Sequence, residues 1–272
     1  MEFVDSHCHI QSAGQPRGER HTQALWAKAG DTSVDDIVER AHEAGVNQMI
    51  CVGCDVEDSV LAVETVKSRE NLYASIGIHP HEAQIFVHNQ AELDRFAALA
   101  TAEKVVAVGE CGLDYFYEHS PKEDQVKILE FQLDLAQRHN LPVIFHVREA
   151  FDDFWPVLDN FDGIRGVLHS YTDNQANLDK AVKKGLYVGV NGIATFAKNE
   201  EQLAMYKSIP LNSLLLETDA PFLTPVPYRG TICEPKHVVL TAEFLAQMRG
   251  DTAAEIAQAT TQNARQLFSL GE

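Results

Sequence analysis

Beginning at residue 3, short continuous apolar runs alternate with longer stretches whose apolar positions recur at helical spacing. The runs at 3–10, 46–52, 72–78, 105–108, 141–147, 166–171, 186–190 and 214–218 read as strands, because unbroken apolar character over a short run suits a strand buried on both faces. Helical spacing predicts helices over 33–44, 57–68, 93–100, 121–139, 151–158, 175–184, 201–208, 236–247 and 252–267. Their ends carry matching chemistry: Ser33 as an N-cap, Gly45 as a stop signal, and Ser120 as the N-cap of a helix with Pro121 in its first turn. Pro156 puts the end of 151–158 in question. Residues 11–32 show no sustained period and read as a long loop.

Eight strands of the parallel type, each followed by a helix, predict a closed (β/α)8 TIM-like barrel of the α/β class. An open doubly wound sheet competes with it, but no G-x-G-x-x-G follows the first strand. No linker or shift in composition divides the chain, so residues 1–272 are expected to form one domain.

The chain carries 22 Lys and Arg against 40 Asp and Glu, a formal net charge of −18. That balance argues against a protein that coats DNA through a basic face. It allows an enzyme in whose cleft bound cations and a few placed arginines reverse the potential. No apolar run is long enough to span a bilayer, and Glu2 and Asp5 stand where a leader would be basic, so a cytoplasmic location is expected. The five cysteines, Cys8, Cys51, Cys54, Cys111 and Cys233, lie mostly in strand-like segments and suit free thiols in a reducing compartment. Cys51 and Cys54 form a C-x-x-C with no second pair beside it, which we read as structural.

In a barrel of this type chemistry gathers at the C-terminal ends of the strands. His7 and His9 are two residues apart on the first strand, so alternation points both the same way, within reach of one ion. For that pair alone, hydrogen-bonded core histidines explain the pattern equally well. The remaining strand ends add His79 and His81, Glu110, His146, His169 and Asp219. Each taken singly fits a turn, a surface position or a hydrogen-bonded histidine; their recurrence at equivalent ends of several strands points to a metal centre. Arg148, two residues after His146, shares its face and could fork onto phosphate oxygens, with a structural ion pair as the alternative. In the 11–32 loop Arg17, Arg20, His21, Trp26 and Lys28 are interrupted by one acid, Glu19. A loop of that length suggests a cover over the site that touches an anionic substrate, a solvated excursion being the alternative.

The segments His7-Cys8-His9, Gly77-Ile78-His79-Pro80-His81, Gly109-Glu110-Cys111-Gly112-Leu113-Asp114, His146-Val147-Arg148, His169 and Glu217-Thr218-Asp219-Ala220-Pro221 match a known series in order and spacing. Over essentially the whole chain the sequence resembles the TatD-type metal-dependent hydrolases of the amidohydrolase-like barrels. The resemblance implies a deoxyribonuclease, a 3′ to 5′ exonuclease on single-stranded DNA and by extension RNA, serving repair or degradation of nucleic acid. It implies that His7, His9, Glu110 and Asp219 surround one ion while Glu110, His146 and His169 hold a second, with Glu110 bridging. Asp219 would take the proton of the attacking water, and His79 and Arg229 would contact substrate phosphate. A carboxylate can bridge two cations where a neutral imidazole cannot, and two ions about 3.5 to 4 Å apart can steady both the attacking and leaving oxygens of a phosphodiester. Family activity is magnesium-dependent, although an imidazole-rich donor set also suits Zn²⁺ or Mn²⁺.

Three departures from the family pattern fall on surfaces that choose substrate. Cys233-Glu234-Pro235 replaces the usual Asn-Glu-Pro, Ser170-Tyr171-Thr172 follows His169 in place of a Cys-Phe-Ser-like run, and the 11–32 loop is long. Tyr115, Phe116 and Tyr171 could stack on bases of a single strand, although ordinary packing is the expected role for any one of them. A second reading keeps the metals and changes the bond to a carboxylic ester or amide, such as a lactone or an aminoacyl ester on tRNA. A scaffold that has lost its chemistry is disfavoured because no ligand position is substituted. A monomer without an obligate protein partner or membrane is expected.

Overall fold

The computed structural model describes residues 1–15 and 20–271. Eight strands, β1 (Phe3–Cys8), β2 (Val46–Val52), β3 (Leu72–Ile76), β4 (Val105–Asp114), β5 (Val143–Arg148), β6 (Gly166–Leu168), β7 (Tyr187–Val190) and β8 (Leu214–Leu216), pair in parallel in sequence order. The ring is nearly closed. Cys8 bridges to Ala220, the Asp219 N–H donates to the His7 carbonyl at 2.8 Å, and the His9 N–H donates to the Ala220 carbonyl at 2.7 Å. The (β/α)8 expectation therefore holds.

Between the strands run α1 (His21–Trp26), α2 (Val34–Glu43), α3 (Val56–Val66), α4 (Ala83–Phe86), α5 (Gln90–Ala98), α6 (Lys122–His139), α7 (Phe151–Leu158), α8 (Gln175–Lys183) and α9 (Glu200–Ser208), with α10 (Val238–Arg249) and α11 (Ala253–Phe268) after β8. Strand alternation sorts the apolar side chains into two layers. Met49 and Cys51 of β2 join the layer between strands and helices, while Ile50 and Val52 join Val4, Ala107, Ile144, Val167 and Leu215 inside the barrel. Leu267 and Phe268 of α11 pack onto the inner set, and Thr261 donates to the Glu2 carbonyl at 2.9 Å, which places α11 across the N-terminal end of the barrel. Full burial of a Leu or Phe side chain contributes about 1.5 to 3 kcal/mol. The polar end is thereby left at the C-terminal ends of the strands.

Ser33 caps α2 in a capping box with Asp36, and Gly45 follows it with a φ of +87°. At α6 the cap shifts by one residue: Pro121, with extended backbone, occupies the N-cap position. Ser120 is committed elsewhere, its hydroxyl donating to the His81 carbonyl at 2.7 Å and accepting the Gln84 N–H at 3.1 Å. Residues 11–32 are not one featureless loop. They hold α1, whose buried Trp26 donates through Nε1 to the His9 carbonyl at 2.9 Å and pins the segment beside the first strand. Arg17 and Glu19 lie outside the described residues. Pro156 sits inside α7, which ends at Leu158 as its spacing predicts.

The strand ends differ from the apolar runs because the last residues turn out of the ladder to face the site. β1 stops at Cys8, β3 at Ile76, β6 at Leu168 and β8 at Leu216, whereas β4 continues to Asp114. β4 passes through Gly109 and Gly112 because of close packing. A Cβ at Gly112, where φ is +155°, would lie 1.8 Å from the His146 carbonyl oxygen of β5. One at Gly77 would lie 2.3 Å from the Glu110 amide nitrogen. Glycine at both positions lets Glu110 and His146 approach their neighbours.

Candidate metal centre

His7, on β1, and His9, just past it, converge although β1 carries a register irregularity between Asp5 and Cys8. Their Nε2 atoms lie 3.2 Å apart. The His9 Nδ1–H donates to the Val52 carbonyl at 2.8 Å, which leaves the Nε2 lone pair pointing inward. Asp219 follows β8 and places Oδ1 3.2 Å from His9 Nε2 and 3.6 Å from His7 Nε2. Glu110, on β4, stands across from this group with Oε2 3.5 Å from His7 Nε2.

The other Glu110 oxygen faces a second group. Oε1 lies 2.7 Å from His146 Nδ1 and 3.6 Å from the Nε2 atoms of both His79 and His169. His7 and His169 stack with centroids 3.6 Å apart. Five imidazoles and two carboxylates thus crowd a largely buried volume whose nearest neighbours are lone-pair donors. A proton between His7 and His9 serves one nitrogen only, whereas a cation accepts from both, so the donor set fits metal ions. Four triads among the described residues have donor atoms close enough to share an ion, and they include His7–His9–Glu110, His7–His169–Asp219 and His79–Glu110–His146.

The electrostatics point the same way. Burial pushes the Glu110 carboxyl up, but His169, His79 and the His146 and His7 contacts hold it well below the usual carboxylate range. Burial likewise opposes ionisation of Asp219, and its contact with His9 together with the nearby His169 and His7 holds it low. His7 is pushed down by burial and by His169. His169 is desolvated as well, yet Glu217 and Glu110 raise it to about 9.

Behind the donors stand two carboxylates to which the sequence reading gave no role. Asp114, fully buried at the end of β4, sets Oδ2 3.0 Å from both His146 Nε2 and His81 Nε2. Its other oxygen accepts the N–H groups of Phe116 and Tyr117. Glu217 places Oε1 2.9 Å from His169 Nδ1 and accepts the Ser170 N–H at 2.7 Å. Asp114 orients the His146 and His81 rings and fixes which nitrogen of His146 faces inward, as carboxylates behind metal-bound histidines do, while Glu217 places its charge beside the His169 ring.

A cavity of about 1160 Å³ opens over this cluster. Arg148 lines it with its guanidinium 4.2 Å from the Phe116 ring centre and 4.7 Å from that of Tyr117. Arg20 and His21 reach the wall, so this part of the 11–32 segment does border the site, with Arg20 paired to Asp55 at 2.7 Å. For two of the aromatic candidates the packing role holds, and one expected substrate contact lies elsewhere. Tyr171 is buried, its hydroxyl donating to the Asn174 carbonyl at 2.6 Å, and cannot stack on a base. Tyr115 is engaged by Asp153 and Lys122. Arg229 stacks on Phe196 at 3.7 Å and is not brought to the cavity. Phe116 is half exposed, beside Tyr117, an equally exposed ring that lines the cavity. Cys54 is also brought to the cavity wall, away from the outward-facing Cys51.

The pattern of the TatD related DNase family matches residues 4–269. The metal-dependent hydrolase YabD of Bacillus subtilis is 36% identical over 248 residues, covering 90% of this chain and 96% of its own. The 3′-5′ ssDNA/RNA exonuclease TatD of Salmonella typhimurium is 33% identical over 244 residues, covering 87% and 93%. Among solved structures, the TatD homolog YJJV of Escherichia coli K12 superposes with a TM-score of 0.86 at 29% identity, over 99% of this chain and 98% of that one.

Proposed function

This chain belongs to the TatD related DNase family and is a metal-dependent hydrolase, and from that premise we propose a 3′ to 5′ exonuclease that shortens single-stranded DNA, and RNA as a second substrate, with two divalent ions. The observation that carries the proposal is the position of Glu110, one oxygen beside His7 and the other beside His146, the attitude of a carboxylate that bridges two cations. On this reading His7, His9, Glu110 and Asp219 hold one ion, and Glu110, His146 and His169 the other. Mg²⁺ is the proposed physiological metal, with Mn²⁺ and Zn²⁺ able to replace it. When bound, the ions supply Lewis acidity towards a phosphodiester and acidify water.

The chain's own residues do the remainder. Asp219, held ionised in the buried cluster, accepts the proton of the attacking water. Glu110 keeps the two donor groups in one frame. Arg148, braced on two aromatic rings, presents its guanidinium to phosphate oxygens at the cavity wall, and His79 stands beside Glu110 where charge develops. On the same reading residues 1–272 act as one barrel, a monomer in the cytoplasm with no obligate protein partner. No described helix is long and apolar enough to cross a membrane.

The test is hydrolysis of a 5′-labelled single strand and of the matching duplex by chelator-stripped protein given Mg²⁺, Mn²⁺ or Zn²⁺, with Glu110→Ala as control. Stepwise shortening of the single strand that needs metal and is lost in the variant is the expected result. Absence of cleavage from protein that binds two ions overturns the nuclease reading and moves the assignment to a carboxylic ester or amide.

A further inference from the structure

We propose that Cys54 is a thiolate donor to the ion gathered by His7, His9, Glu110 and Asp219, giving that position a preference for thiophilic metals that imidazole and carboxylate donors alone do not provide. The inference rests on the metal reading above. Cys54 Sγ lies 3.8 Å from Glu110 Oε2 and 3.9 Å from His9 Nδ1. The Glu110 separation is within reach of donors that share one cation after a small adjustment, since zinc takes sulfur at about 2.3 Å and oxygen at about 2.0 to 2.2 Å, while the His9 contact is to the nitrogen that donates to Val52 and shows only that the thiol borders the same ring. Cys54, His9 and Asp58 form a further triad whose donor atoms are close enough to share an ion.

A second, independent feature marks the same corner. Asp58 is almost fully buried and accepts the Cys54 N–H at 3.1 Å and the Gln11 amide at 3.1 Å through Oδ2, while its Oδ1 has no partner among the described residues. A buried carboxylate oxygen left without a donor beside a thiol suits a place where positive charge is to be received. The other four cysteines are buried, three of them within strands, and none of them belongs to the described triads. Cys54 is a free cysteine, with its S–H towards Glu110 Oε2. Binding therefore exchanges the S–H bond for a sulfur–metal bond and releases one proton to solvent, with no change of oxidation state.

The readout is optical and independent of hydrolysis. Chelator-stripped protein titrated with Co²⁺ is expected to develop, besides the visible ligand-field bands, a near-ultraviolet thiolate-to-cobalt band that is missing in Cys54→Ser. In competition, the preference for Cd²⁺ over Mg²⁺ should fall by about 10-fold or more in Cys54→Ser, because the softer ion loses its sulfur donor. Ligand-field bands without the thiolate band in the wild type, or a thiolate band that survives in Cys54→Ser, overturn the assignment while leaving the metal centre intact. No Co²⁺ binding at all overturns both, and a positive optical result from a protein that cleaves no nucleic acid upholds Cys54 while removing the nuclease reading.

Discussion

Asp114 Oδ2 lies 3.0 Å from His146 Nε2, and the opposite ring nitrogen, Nδ1, lies 2.7 Å from Glu110 Oε1. The carboxylate thereby decides which nitrogen of His146 is free to act as a donor inside the site. His81 shares the same Asp114 oxygen at 3.0 Å, so one buried charge orients two rings.

Asp114→Asn keeps the shape and removes the charge. An amide in either orientation satisfies His146 and His81 less well, and the Nδ1 lone pair of His146 is no longer enforced. Metal affinity should fall by about 10- to 100-fold, the usual cost of losing a carboxylate behind a ligating histidine. Competition with a chromophoric chelator measures it, and unchanged affinity in a folded variant removes the positioning role.

Arg148 lines the cavity on an aromatic support of Phe116 and Tyr117. Arg148→Ala should raise KM for single-stranded DNA more than it lowers kcat. It should also reduce the slope of log affinity against log salt by about 1, the signature of one lost phosphate contact. A changed kcat at constant KM and constant salt slope would mean that Arg148 acts on chemistry and not on binding.

The barrel was legible because each strand buried on both faces is written as an unbroken apolar run, and the runs at 46–52, 72–78 and 186–190 lie within two residues of the observed ends. β4 was read short, at 105–108, because its apolar run ends there, whereas the strand continues to Asp114 and its glycines permit the contact with β5. His7, His9, Glu110, His146, His169 and Asp219 were found from their positions at strand ends, and the structure brings all six together with His79. Asp114 and Glu217 were missed although both stand in the quoted motifs. Their role is to face a histidine from behind, and neither period nor composition distinguishes such a carboxylate from one that faces the cavity. Arg229, expected at the substrate, stacks on Phe196 instead, for a related reason: a polar tip on a long side chain says nothing about where its body packs.

Gly112 is where backbone geometry and site meet. In Gly112→Ala the methyl group would meet the His146 carbonyl oxygen at 1.8 Å at a φ of +155°, and neither the strand nor the dihedral can yield without moving β5. We expect a loss of stability of about 3 kcal/mol or more, read as a lower denaturation midpoint, accompanied by weaker metal binding because His146 moves with its carbonyl. Serine should be no better than alanine, since the clash begins at Cβ.

Thr252 offers the complementary case, a local stabilising contact remote from the cavity. Its hydroxyl accepts the Glu255 N–H at 3.2 Å while the Glu255 carboxylate accepts the Thr252 N–H at 2.8 Å, a reciprocal box that opens α11. Thr252→Ala should cost about 1 kcal/mol in urea denaturation and leave metal affinity and hydrolysis unchanged. A loss of activity larger than the loss of folded protein would mean that α11 communicates with the polar end through the barrel interior.

Removal of metal should be felt in stability as well as in catalysis. Without cations, Glu110 and Asp219 are buried charges compensated only by imidazoles, and His7 stacks on His169 at 3.6 Å with burial and that neighbour disfavouring its protonation. The imidazoles alone hold both carboxyls ionised, and a neutral His7 keeps a lone pair for a cation, which would add positive charge beside the two carboxylates. An ion that binds the folded chain and not the unfolded one stabilises it by about 2.7 kcal/mol at a concentration 100 times its dissociation constant. Titrating divalent metal into chelator-stripped protein should therefore raise Tm progressively, and Glu110→Gln should flatten the rise, because the amide lacks the charge both donor groups share. In the metal-free protein Glu110→Gln should lower Tm at neutral pH, because the surrounding imidazoles hold the Glu110 carboxyl below its ordinary range and the fold is stabilised by its charge. A wild-type Tm indifferent to metal would mean that the donor cluster holds no ion at the concentrations used.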